Sequence, residues 1–230
     1  MNGSSVRILT WNIHGAVGRN PRFDAHRVVE LIDRWDPHVV ALQEVDSRRE
    51  KTAVGNPFEF LQKELGEHGI GAKSITTDDG DYGQMLVSRW PMSDTVVHDL
   101  SYQEREPRRA IASTIETPQG PLRVVATHLG LSIHERRDQA RKLRDLACDT
   151  AYTTVVIGDF NDWFWVGSVG SALSCDLQAR TSFRTYPSWC PLLRLDRIYC
   201  RPGDALLASY TDRSARHISD HLPVIADVRV

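Results

Sequence analysis

The sequence lacks any apolar run approaching the roughly 18 residues of a membrane-spanning helix, and its first residues lack an apolar signal segment. Only four cysteines are present, Cys148, Cys175, Cys190 and Cys200, and none form a C-x-x-C pair, which argues against a disulfide framework or a thiolate zinc site. The formal net charge is −2, so a nucleic-acid role would need a local basic patch. We therefore expect a cytoplasmic protein with reduced cysteines.

The composition also lacks a bias towards glycine, proline or charge. The 230 residues include 15 glycines, 11 prolines and 25% charged residues, which excludes a disordered, collagen-like or low-complexity chain. Because domains run to roughly 100–200 residues, this length supports one large domain or two small ones.

Short apolar runs rich in β-branched residues predict buried strands. They span Val6–Trp11, Val39–Leu42, Gln84–Val87, Leu122–Thr127, Thr153–Ile157, Leu195–Tyr199 and Leu222–Val230. Apolar spacing predicts helices over Asp24–Trp35, Phe58–His68 and His134–Ala147, whereas residues 71–128 carry strand-like runs without an obvious helix. The pattern favours an α/β or α+β class, with helices covering mixed sheets that have an antiparallel component.

Several of these strands end in polar side chains. Asn12, Glu44 and His128 each follow an apolar run, and Gly-Asp-Phe-Asn (158–161) follows another. In open α/β sheets, ligands bind at such edges, so one shared site would explain all four strand ends.

Each of these side chains also has an ordinary structural explanation. Glu44 could be a solvated strand end, Asp159 and Asn161 an Asx turn, and His128 a hydrogen-bonded core histidine. Ser219–His221 is either a metal ligand beside a general base or a loop cap. Oxygen donors outnumber imidazoles, which favours Mg²⁺, Mn²⁺ or Ca²⁺ over zinc. An oxygen-ligated Mg²⁺ with a histidine base suits attack of water on a phosphoester.

A series of short motifs resembles the endonuclease/exonuclease/phosphatase superfamily, which includes DNase I-like nucleases, abasic-site endonucleases, neutral sphingomyelinases and inositol polyphosphate phosphatases. The motifs are Trp-Asn-Ile-His-Gly (11–15), Leu-Gln-Glu-Val (42–45), Thr-His-Leu (127–129), Gly-Asp-Phe-Asn (158–161), Leu-Asp-Arg-Ile (195–198) and Ser-Asp-His-Leu-Pro (219–223). Weaker matches are the stretch from Tyr82-Gly83-Gln84 to Ser88-Arg89-Trp90-Pro91, and Pro107-Arg108-Arg109-Ala110. The resemblance implies a single catalytic domain over 1–230. The implied fold is a DNase I-like four-layer α/β/β/α sandwich, with two packed mixed β-sheets flanked by helices.

The resemblance also implies a metal site. It places Asn12, Glu44 and Asp220 on the side of the site that holds Mg²⁺, with Glu44 as the principal carboxylate ligand and Mn²⁺ as an alternative ion. Asp159 would orient the attacking water or help to bind a metal.

The catalytic roles follow from the same resemblance. His221 would be the general base, and Asp196 would fix its tautomer and raise its basicity. Asn161 and His128 would donate hydrogen bonds to phosphoryl oxygens. Family members differ over whether the residue matching Asp159 or the one matching His221 is the base, and we favour His221.

The resemblance does not fix the substrate. Short loops and a balanced charge favour a phospholipid or small phosphoester over DNA or RNA, and a non-catalytic binding module of the same fold is the other alternative. Candidate substrate contacts are Tyr82, Arg109, Trp163 and Trp165. The arginines and aromatics within 180–201 could bind phosphate or a lipid headgroup, or they could form a solvated loop. The basic run in 134–144 indicates a solvent-facing helix surface. No obligate protein partner is indicated.

Overall fold

A computed structural model describes residues 5–16, 24–48, 54–148, 151–163 and 167–230. The strands are β1 (Val6–Asn12), β2 (Val39–Asp46), β3 (His68–Thr77), β4 (Gly80–Ser88), β5 (Met92–Asp99), β6 (Arg109–Thr117), β7 (Gly120–His128), β8 (Thr153–Asp159), β9 (Ala179–Arg180), β10 (Asp196–Arg201), β11 (Leu206–Thr211) and β12 (Val224–Val228). The α-helices are α1 (Ala25–Trp35), α2 (Pro57–Leu65), α3 (Ile133–Cys148) and α4 (Ser168–Leu173). None of the helices in these ranges is long and apolar enough to cross a membrane.

Two six-stranded sheets pack face to face, with strand orders β11-β12-β1-β2-β4-β3 and β5-β6-β7-β8-β10-β9. The pairs β1–β2 and β7–β8 are parallel among antiparallel neighbours, so both sheets are mixed. One buried apolar cluster lies between the sheets. A second packs the first sheet against α1 and α2, and a third packs the other sheet against α3 and α4. This arrangement confirms the four-layer α/β/β/α fold.

Helix α2 is shorter than its apolar spacing predicts, because it ends at Leu65 and His68 already begins β3. Gly66 passes so close to β4 that a Cβ there would lie 2.7 Å from the carbonyl oxygen of Ser88. Two residues later, His68 pairs with the same Ser88. The helix therefore ends where the chain meets its partner strand, a contact that helical periodicity does not report.

The basic run on α3 is not wholly a solvent face, because Arg136 is buried. Its Nη1 donates a hydrogen bond to the carbonyl oxygen of Leu131 at 2.5 Å, and its Nε lies 3.9 Å from Oδ1 of the buried Asp162. On the other side, Nη1 of Arg197 on β10 lies 3.5 Å from Oδ2 of Asp162. One carboxylate between two guanidiniums thus ties α3 and β10 to the segment that follows β8.

The close approach of β7 and β8 depends on Gly158. Its φ is +143°, and a Cβ at this position would lie 1.9 Å from the carbonyl oxygen of Thr127. The parallel pairing then places His128 beside Asp159 at the ends of the two strands. The glycine of Gly-Asp-Phe-Asn therefore sets the distance between two candidate site residues.

We expect Gly158→Ala to lower the free energy of unfolding by roughly 2–5 kcal/mol, since it adds overpacking to an unfavourable positive φ. Gly55→Ala is the matched control, because φ there is +72° but a Cβ would meet nothing within 4 Å. That variant should lose only about 1–2 kcal/mol. Urea unfolding of both variants measures the difference, and equal losses would show that contact with Thr127 adds nothing to the effect of φ.

Candidate active site

The polar residues that the sequence places at strand ends come together at one edge of the sandwich. They are Asn12 at the end of β1, Glu44 on β2, His128 and Asp159 at the ends of β7 and β8, Asn161 just beyond β8, Asp196 at the start of β10, and Asp220 and His221 before β12. Strands β1 and β2 belong to one sheet, and β7, β8 and β10 to the other. Both sheets therefore contribute to the site.

Asn12 joins the two sheets within the site. Its Nδ2 donates hydrogen bonds to Oε1 of Glu44 at 2.8 Å and to Oδ2 of Asp159 at 3.0 Å. Its Oδ1 accepts a hydrogen bond from the backbone N–H of His14 at 3.0 Å, which fixes the orientation of the amide. In this arrangement Asn12 positions two carboxylates, and its role as a metal ligand stays a prediction.

Glu44 reaches the site through a β-bulge. The pairing of β2 with β4 shifts between Gln43 and Val45, and Glu44 between them has a φ of +57°. Such bulges re-aim a side chain away from the regular alternation of the strand. Burial alone raises the pKa of Glu44, but the hydrogen bond from His14, the nearby His128 and the hydrogen bond from Asn12 outweigh it and lower the pKa to about 2.

His14 is a site residue that the sequence reasoning missed. Its Nδ1 lies 3.3 Å from Oε2 of Glu44 and 3.7 Å from Oδ1 of Asp220. The hydrogen bond to Glu44 and the charges of both carboxylates outweigh burial and raise the pKa of His14 above its ordinary value. The motif Trp-Asn-Ile-His-Gly contains His14, but no feature of the pattern distinguishes it from a turn residue.

The donors around His14 fit a hard divalent cation. The carboxylate oxygens of Glu44 and Asp220 converge on Nδ1 of His14, which becomes cationic on protonation. Glu44 lies on β2, and Asp220 lies before β12. Carboxylate oxygens are the ligands that Mg²⁺ and Mn²⁺ prefer, and both side chains are partly exposed to solvent. Both carboxylates face Nδ1 of His14, and their role as metal ligands stays a prediction.

His221 is held by a buried carboxylate. Its Nδ1 lies 2.8 Å from Oδ2 of Asp196, whose side chain is fully buried, and 3.8 Å from Oδ2 of Asp159. The ring of Tyr186 packs against the imidazole with a centroid distance of 4.9 Å. Burial lowers the pKa of His221, but the carboxylates of Asp196, Asp159 and Asp220 outweigh it and raise the pKa to about 10.

Asp159, Asp196 and His221 also form a compact buried group whose ligand-type atoms lie within 4.8 Å of one another. The Nδ1 of His221 is already engaged by Asp196, so a metal in this group would have to displace that hydrogen bond. The roles predicted for Asp159, Asp196 and His221 in metal binding and in proton transfer stay predictions.

The electrostatic environment of His128 is the opposite of that of His221. Its Nδ1 lies 3.4 Å from Nη1 of Arg108, and since a guanidinium can only donate, Nδ1 accepts and the ring proton sits on Nε2. Burial and the charge of Arg108 lower the pKa of His128 to about 4. At neutral pH the ring is therefore uncharged and carries an N–H on Nε2, which lies 3.7 Å from Oδ2 of Asp159.

Arg108 itself was not among the predicted contacts. Its side chain is buried, Nη1 lies 3.1 Å from Oε1 of Glu106, and Nε has no hydrogen-bond partner among the described residues. The predicted contact Arg109 instead places Nη1 2.6 Å from Oδ1 of Asp99. The motif Pro107-Arg108-Arg109-Ala110 contains both arginines, and the sequence alone does not say which one faces the site.

Asp159 and Asn161 form the turn that follows β8. Oδ1 of Asp159 accepts a hydrogen bond from the backbone N–H of Asn161 at 2.9 Å, which is an Asx turn. The φ of Asn161 is +50°, and its Nδ2 donates to the carbonyl oxygen of Leu129 at 2.9 Å. An Asx turn and a catalytic role are thus compatible for Asp159 and Asn161, because the turn holds both side chains at the site.

The remaining predicted substrate contacts differ in their surroundings. Tyr82 is partly buried, and the guanidinium of Arg48 stacks 4.7 Å above its ring. Burial and the charge of Glu44 raise the pKa of Tyr82. Trp163 is 52% exposed, and Trp165 lies outside the described residues.

Comparison with known proteins gives a family match. The sequence model of the Endonuclease/Exonuclease/phosphatase family matches residues 9–221. The chain is 27% identical over 245 aligned positions to "Uncharacterized protein YbhP" of Escherichia coli strain K12, covering 98% of this chain and 97% of that protein.

Two solved structures share the fold at low sequence identity. An endonuclease/exonuclease/phosphatase from Beutenbergia cavernae superposes with a TM-score of 0.76 at 23% identity, over 98% of this chain and 72% of that one. A mannosyl-6-phosphatase from Bacteroides thetaiotaomicron superposes with a TM-score of 0.70 at 17% identity, over 96% and 98% of the two chains.

The raised pKa of His221 predicts a pH-dependent contribution to stability. The folded-state pKa of about 10 lies above the unfolded value of about 6.5, so protonation of His221 stabilises the fold fully below pH 6.5. This contribution is lost as pH rises through 10. In EDTA, we expect the stability advantage of the wild type over His221→Gln to shrink between pH 6.5 and 10, as measured by urea unfolding.

The same measurement on His134→Gln, which replaces an exposed histidine on α3, supplies the matched control. A stability difference between wild type and His221→Gln that stays constant from pH 6.5 to 10 would mean that the carboxylates do not hold a proton on His221.

Proposed function

The chain belongs to the endonuclease/exonuclease/phosphatase family, and we propose that it is a divalent-metal-dependent hydrolase of phosphoester bonds, with residues 1–230 forming one catalytic domain. The family generally acts on phosphoesters. The observation that carries the proposal is the buried Asp196–His221 pair, with 2.8 Å between Oδ2 and Nδ1, beside the converging carboxylates of Glu44 and Asp220.

Glu44 and Asp220 would hold the ion, with Asn12 as a further ligand or as the group that orients Glu44. Mg²⁺ is the ion that these oxygen donors favour, and Mn²⁺ is the alternative. When bound, the cation would act as a Lewis acid on the phosphoryl oxygens.

His221 would act as the general base. Asp196 accepts the hydrogen bond from Nδ1–H, so the other ring nitrogen, Nε2, is the one that takes the proton from water. The water oxygen forms a bond to phosphorus while the ester P–O bond breaks. The leaving oxygen takes a proton from solvent to become an alcohol, and the proton on Nε2 of His221 returns to solvent. Bound positive charge beside Asp220 would offset one of the carboxylates that raise the pKa of His221, which moves the imidazole towards its basic form.

Asp159 supports this chemistry as an acceptor. Its two carboxylate oxygens already accept hydrogen bonds from Asn161 and Asn12, at 2.9 and 3.0 Å, and its Oδ2 faces both histidines. A carboxylate so placed would orient the attacking water towards phosphorus. Because both oxygens of Asp159 already accept hydrogen bonds, we prefer His221 as the base.

Arg108, His128 and Asn161 would surround the phosphoryl group. The Nε2–H of His128 and the guanidinium of Arg108 are donors held in place by burial, and they would stabilise the negative charge that develops on phosphoryl oxygens. Asn161 uses one amide hydrogen on Leu129, and the other would reach the substrate.

The substrate proposed from the sequence is a phospholipid or a small phosphoester, with nucleic acid as the alternative. The fold is shared with a mannosyl-6-phosphatase, whose name describes a small phosphorylated sugar as substrate. Filled positions for a base, a metal and phosphoryl donors argue against a non-catalytic binding module.

The direct test is hydrolysis of bis-p-nitrophenyl phosphate with Mg²⁺. We expect turnover that EDTA abolishes and added Mg²⁺ restores. Glu44→Gln removes a carboxylate charge from the ion and should lower kcat/KM by at least about 100-fold. His221→Ala removes the base and should lower kcat by about 10²–10⁴-fold at saturating Mg²⁺.

Glu30→Gln is the matched control for Glu44, because Glu30 is an exposed carboxylate on α1. Calorimetric titration with Mg²⁺ separates the two roles: Glu44→Gln should weaken metal binding, whereas His221→Ala should retain it. Undiminished turnover in EDTA, or by either variant, would contradict the mechanism.

Arg108 and Arg109 offer an adjacent pair for testing the phosphoryl contacts. Arg108→Gln should lower kcat/KM by about 10²-fold, the usual cost of a lost donor to developing charge. Arg109→Gln should lower it far less, because the guanidinium of Arg109 contacts Asp99. The measurement is kcat/KM with bis-p-nitrophenyl phosphate. A larger loss of kcat/KM for Arg109→Gln would mean that Arg109, and not Arg108, contacts the phosphoryl group.

A further inference from the structure

The most exposed large apolar side chains of the described residues lie at one edge of the sandwich. Those that are more than half exposed to solvent are Leu131, Trp163, Trp189 and Leu192. They follow β7, follow β8 or precede β10. Because β7 runs parallel and β10 antiparallel to β8, all three chain positions lie at the edge that carries the candidate active site.

Side-chain contacts link three of these residues. The carbonyl oxygen of Leu131 accepts a hydrogen bond from Nη1 of Arg136 at 2.5 Å. Nε of the same guanidinium lies 3.9 Å from Oδ1 of Asp162, the residue before Trp163. Trp163 and Leu192 line one open cavity of about 290 Å³. The exposed apolar side chains therefore belong to one surface and are not scattered singly over the molecule.

Trp189 and Leu192 lie on a turn over residues 187–192. The turn is closed by Leu193, whose backbone N–H donates to the carbonyl oxygen of Tyr186 at 2.8 Å. Both Trp189 and Leu192 are 61% exposed. Exposed apolar groups on a short, closed turn project from the protein and do not line a groove.

The base of this turn is attached to the segment 219–222, which contains the candidate general base. The backbone N–H of Ser188 donates to the carbonyl oxygen of Asp220 at 2.6 Å, and its Oγ donates to the carbonyl oxygen of Ser219 at 2.7 Å. The backbone N–H of Leu222 donates to the carbonyl oxygen of Thr185 at 2.9 Å. The turn is thus held in a fixed position relative to the candidate site.

The charge around these apolar side chains is positive. Residues 180–195 contain three arginines and no acidic residue. Arg180 and Arg184 are exposed, and they line the cavity that Trp163 and Leu192 share. The one carboxylate among the residues lining this cavity belongs to Asp162, which is buried and lies 3.5 Å from Arg197. The charge that this surface presents to solvent therefore comes from guanidinium groups.

Exposed tryptophan and leucine beside exposed arginine match the surface of an anionic bilayer. Tryptophan favours the interface between headgroups and acyl chains, and arginine is attracted to anionic headgroups. Single-stranded nucleic acid would also attract arginine and stack on tryptophan, but Leu131 and Leu192 offer no ring for stacking. The aliphatic side chains therefore favour lipid over nucleic acid.

We propose that this surface, defined by Leu131, Trp163, Trp189, Leu192, Arg180 and Arg184, docks the protein on an anionic lipid bilayer. Trp189 and Leu192 enter the interfacial region, and the arginines contact the headgroups. The edge of the sandwich that carries the candidate site then faces the bilayer. The inference goes beyond the proposed function, because docking requires no hydrolysis.

The test is co-sedimentation of the full chain with unilamellar vesicles. One set of vesicles is pure phosphatidylcholine, and the other is an equimolar mixture of phosphatidylcholine and phosphatidylglycerol. EDTA is present throughout, so that divalent ions do not bridge protein carboxylates to lipid phosphates. We expect the partition coefficient of the wild type to be at least about tenfold higher on the anionic vesicles and to fall as NaCl is raised.

The apolar contribution is tested with Trp189→Ala/Leu192→Ala, which should lower the partition coefficient on anionic vesicles at least about tenfold. Tyr152→Ala/Leu207→Ala is the matched control. It also removes one exposed aromatic and one exposed aliphatic side chain, but Tyr152 precedes β8 and Leu207 lies on β11. The control should bind as the wild type does.

The electrostatic contribution is tested with Arg180→Ala/Arg184→Ala. Loss of two charges near the headgroups should lower the partition coefficient on anionic vesicles about 30-fold and change it little on pure phosphatidylcholine. Arg27→Ala/Arg137→Ala removes the same charge from exposed helix positions and should have a much smaller effect.

A second measurement reports on Trp189 without disturbing the fold. Phosphatidylglycerol vesicles containing lipid brominated in the acyl chains should quench part of the tryptophan fluorescence of the wild type. Trp189→Phe keeps an apolar ring, so it should still bind while losing part of this quenching. Thermal unfolding without vesicles verifies that each variant is folded.

Several results would overturn the proposal. They are absence of wild-type binding to anionic vesicles, unchanged binding by Trp189→Ala/Leu192→Ala or by Arg180→Ala/Arg184→Ala, and equal quenching in Trp189→Phe. Binding of a single-stranded oligonucleotide in place of vesicles would assign the surface to nucleic acid, and self-association in place of vesicle binding would assign it to a second copy. Failure to hydrolyse bis-p-nitrophenyl phosphate would overturn the proposed function and leave the vesicle result unchanged.

Discussion

The candidate site depends on holding Glu44, Asp159, Asp196 and Asp220 close together despite their mutual repulsion. Their partners are of two kinds, an amide and two histidines. The Asn12 amide bridges Glu44 and Asp159, His221 neutralises Asp196, and His14 lies between Glu44 and Asp220. Since an unpaired buried charge costs several kcal/mol, these partners are a condition for the fold as much as for the chemistry. The same concentration of negative charge is what would attract a divalent cation.

The two histidines show how one site can give opposite properties to the same side chain. His128 lies against the guanidinium of Arg108 and is uncharged at neutral pH, whereas His221 lies among carboxylates and holds its proton. When the environments of two titratable groups push their pKa values apart, one group can serve as a hydrogen-bond donor and the other as a proton acceptor. At neutral pH the site therefore holds an uncharged imidazole at His128 and a protonated one at His221.

The strands and the position of the site were predictable from sequence wherever a strand is apolar throughout. The runs that became β1, β2, β7 and β8 are buried along most of their length, and the polar residues at their ends gave the position of the site. Strands such as β3 and β5 are largely exposed and sit at sheet edges, so their identity comes from pairing rather than from hydrophobicity. His14, Arg108 and Arg136 were missed for a related reason. What each of them does depends on which distant side chain it meets, and local spacing carries no information about that partner.

Net charge was the weakest guide to the substrate. The value of −2 favours a small or lipid phosphoester only if charge is spread evenly over the surface, and the structure shows that it is segregated. The carboxylates of Asp159, Asp196 and Asp220 surround His221, whereas the wall of a separate cavity carries Arg180, Arg184, Arg194 and Arg197. Fields at distances below a Debye length, about 8–10 Å at physiological salt, are set by these local groups and not by the total. The net charge of the whole chain therefore says little about the charge that a ligand meets at any one place on the surface.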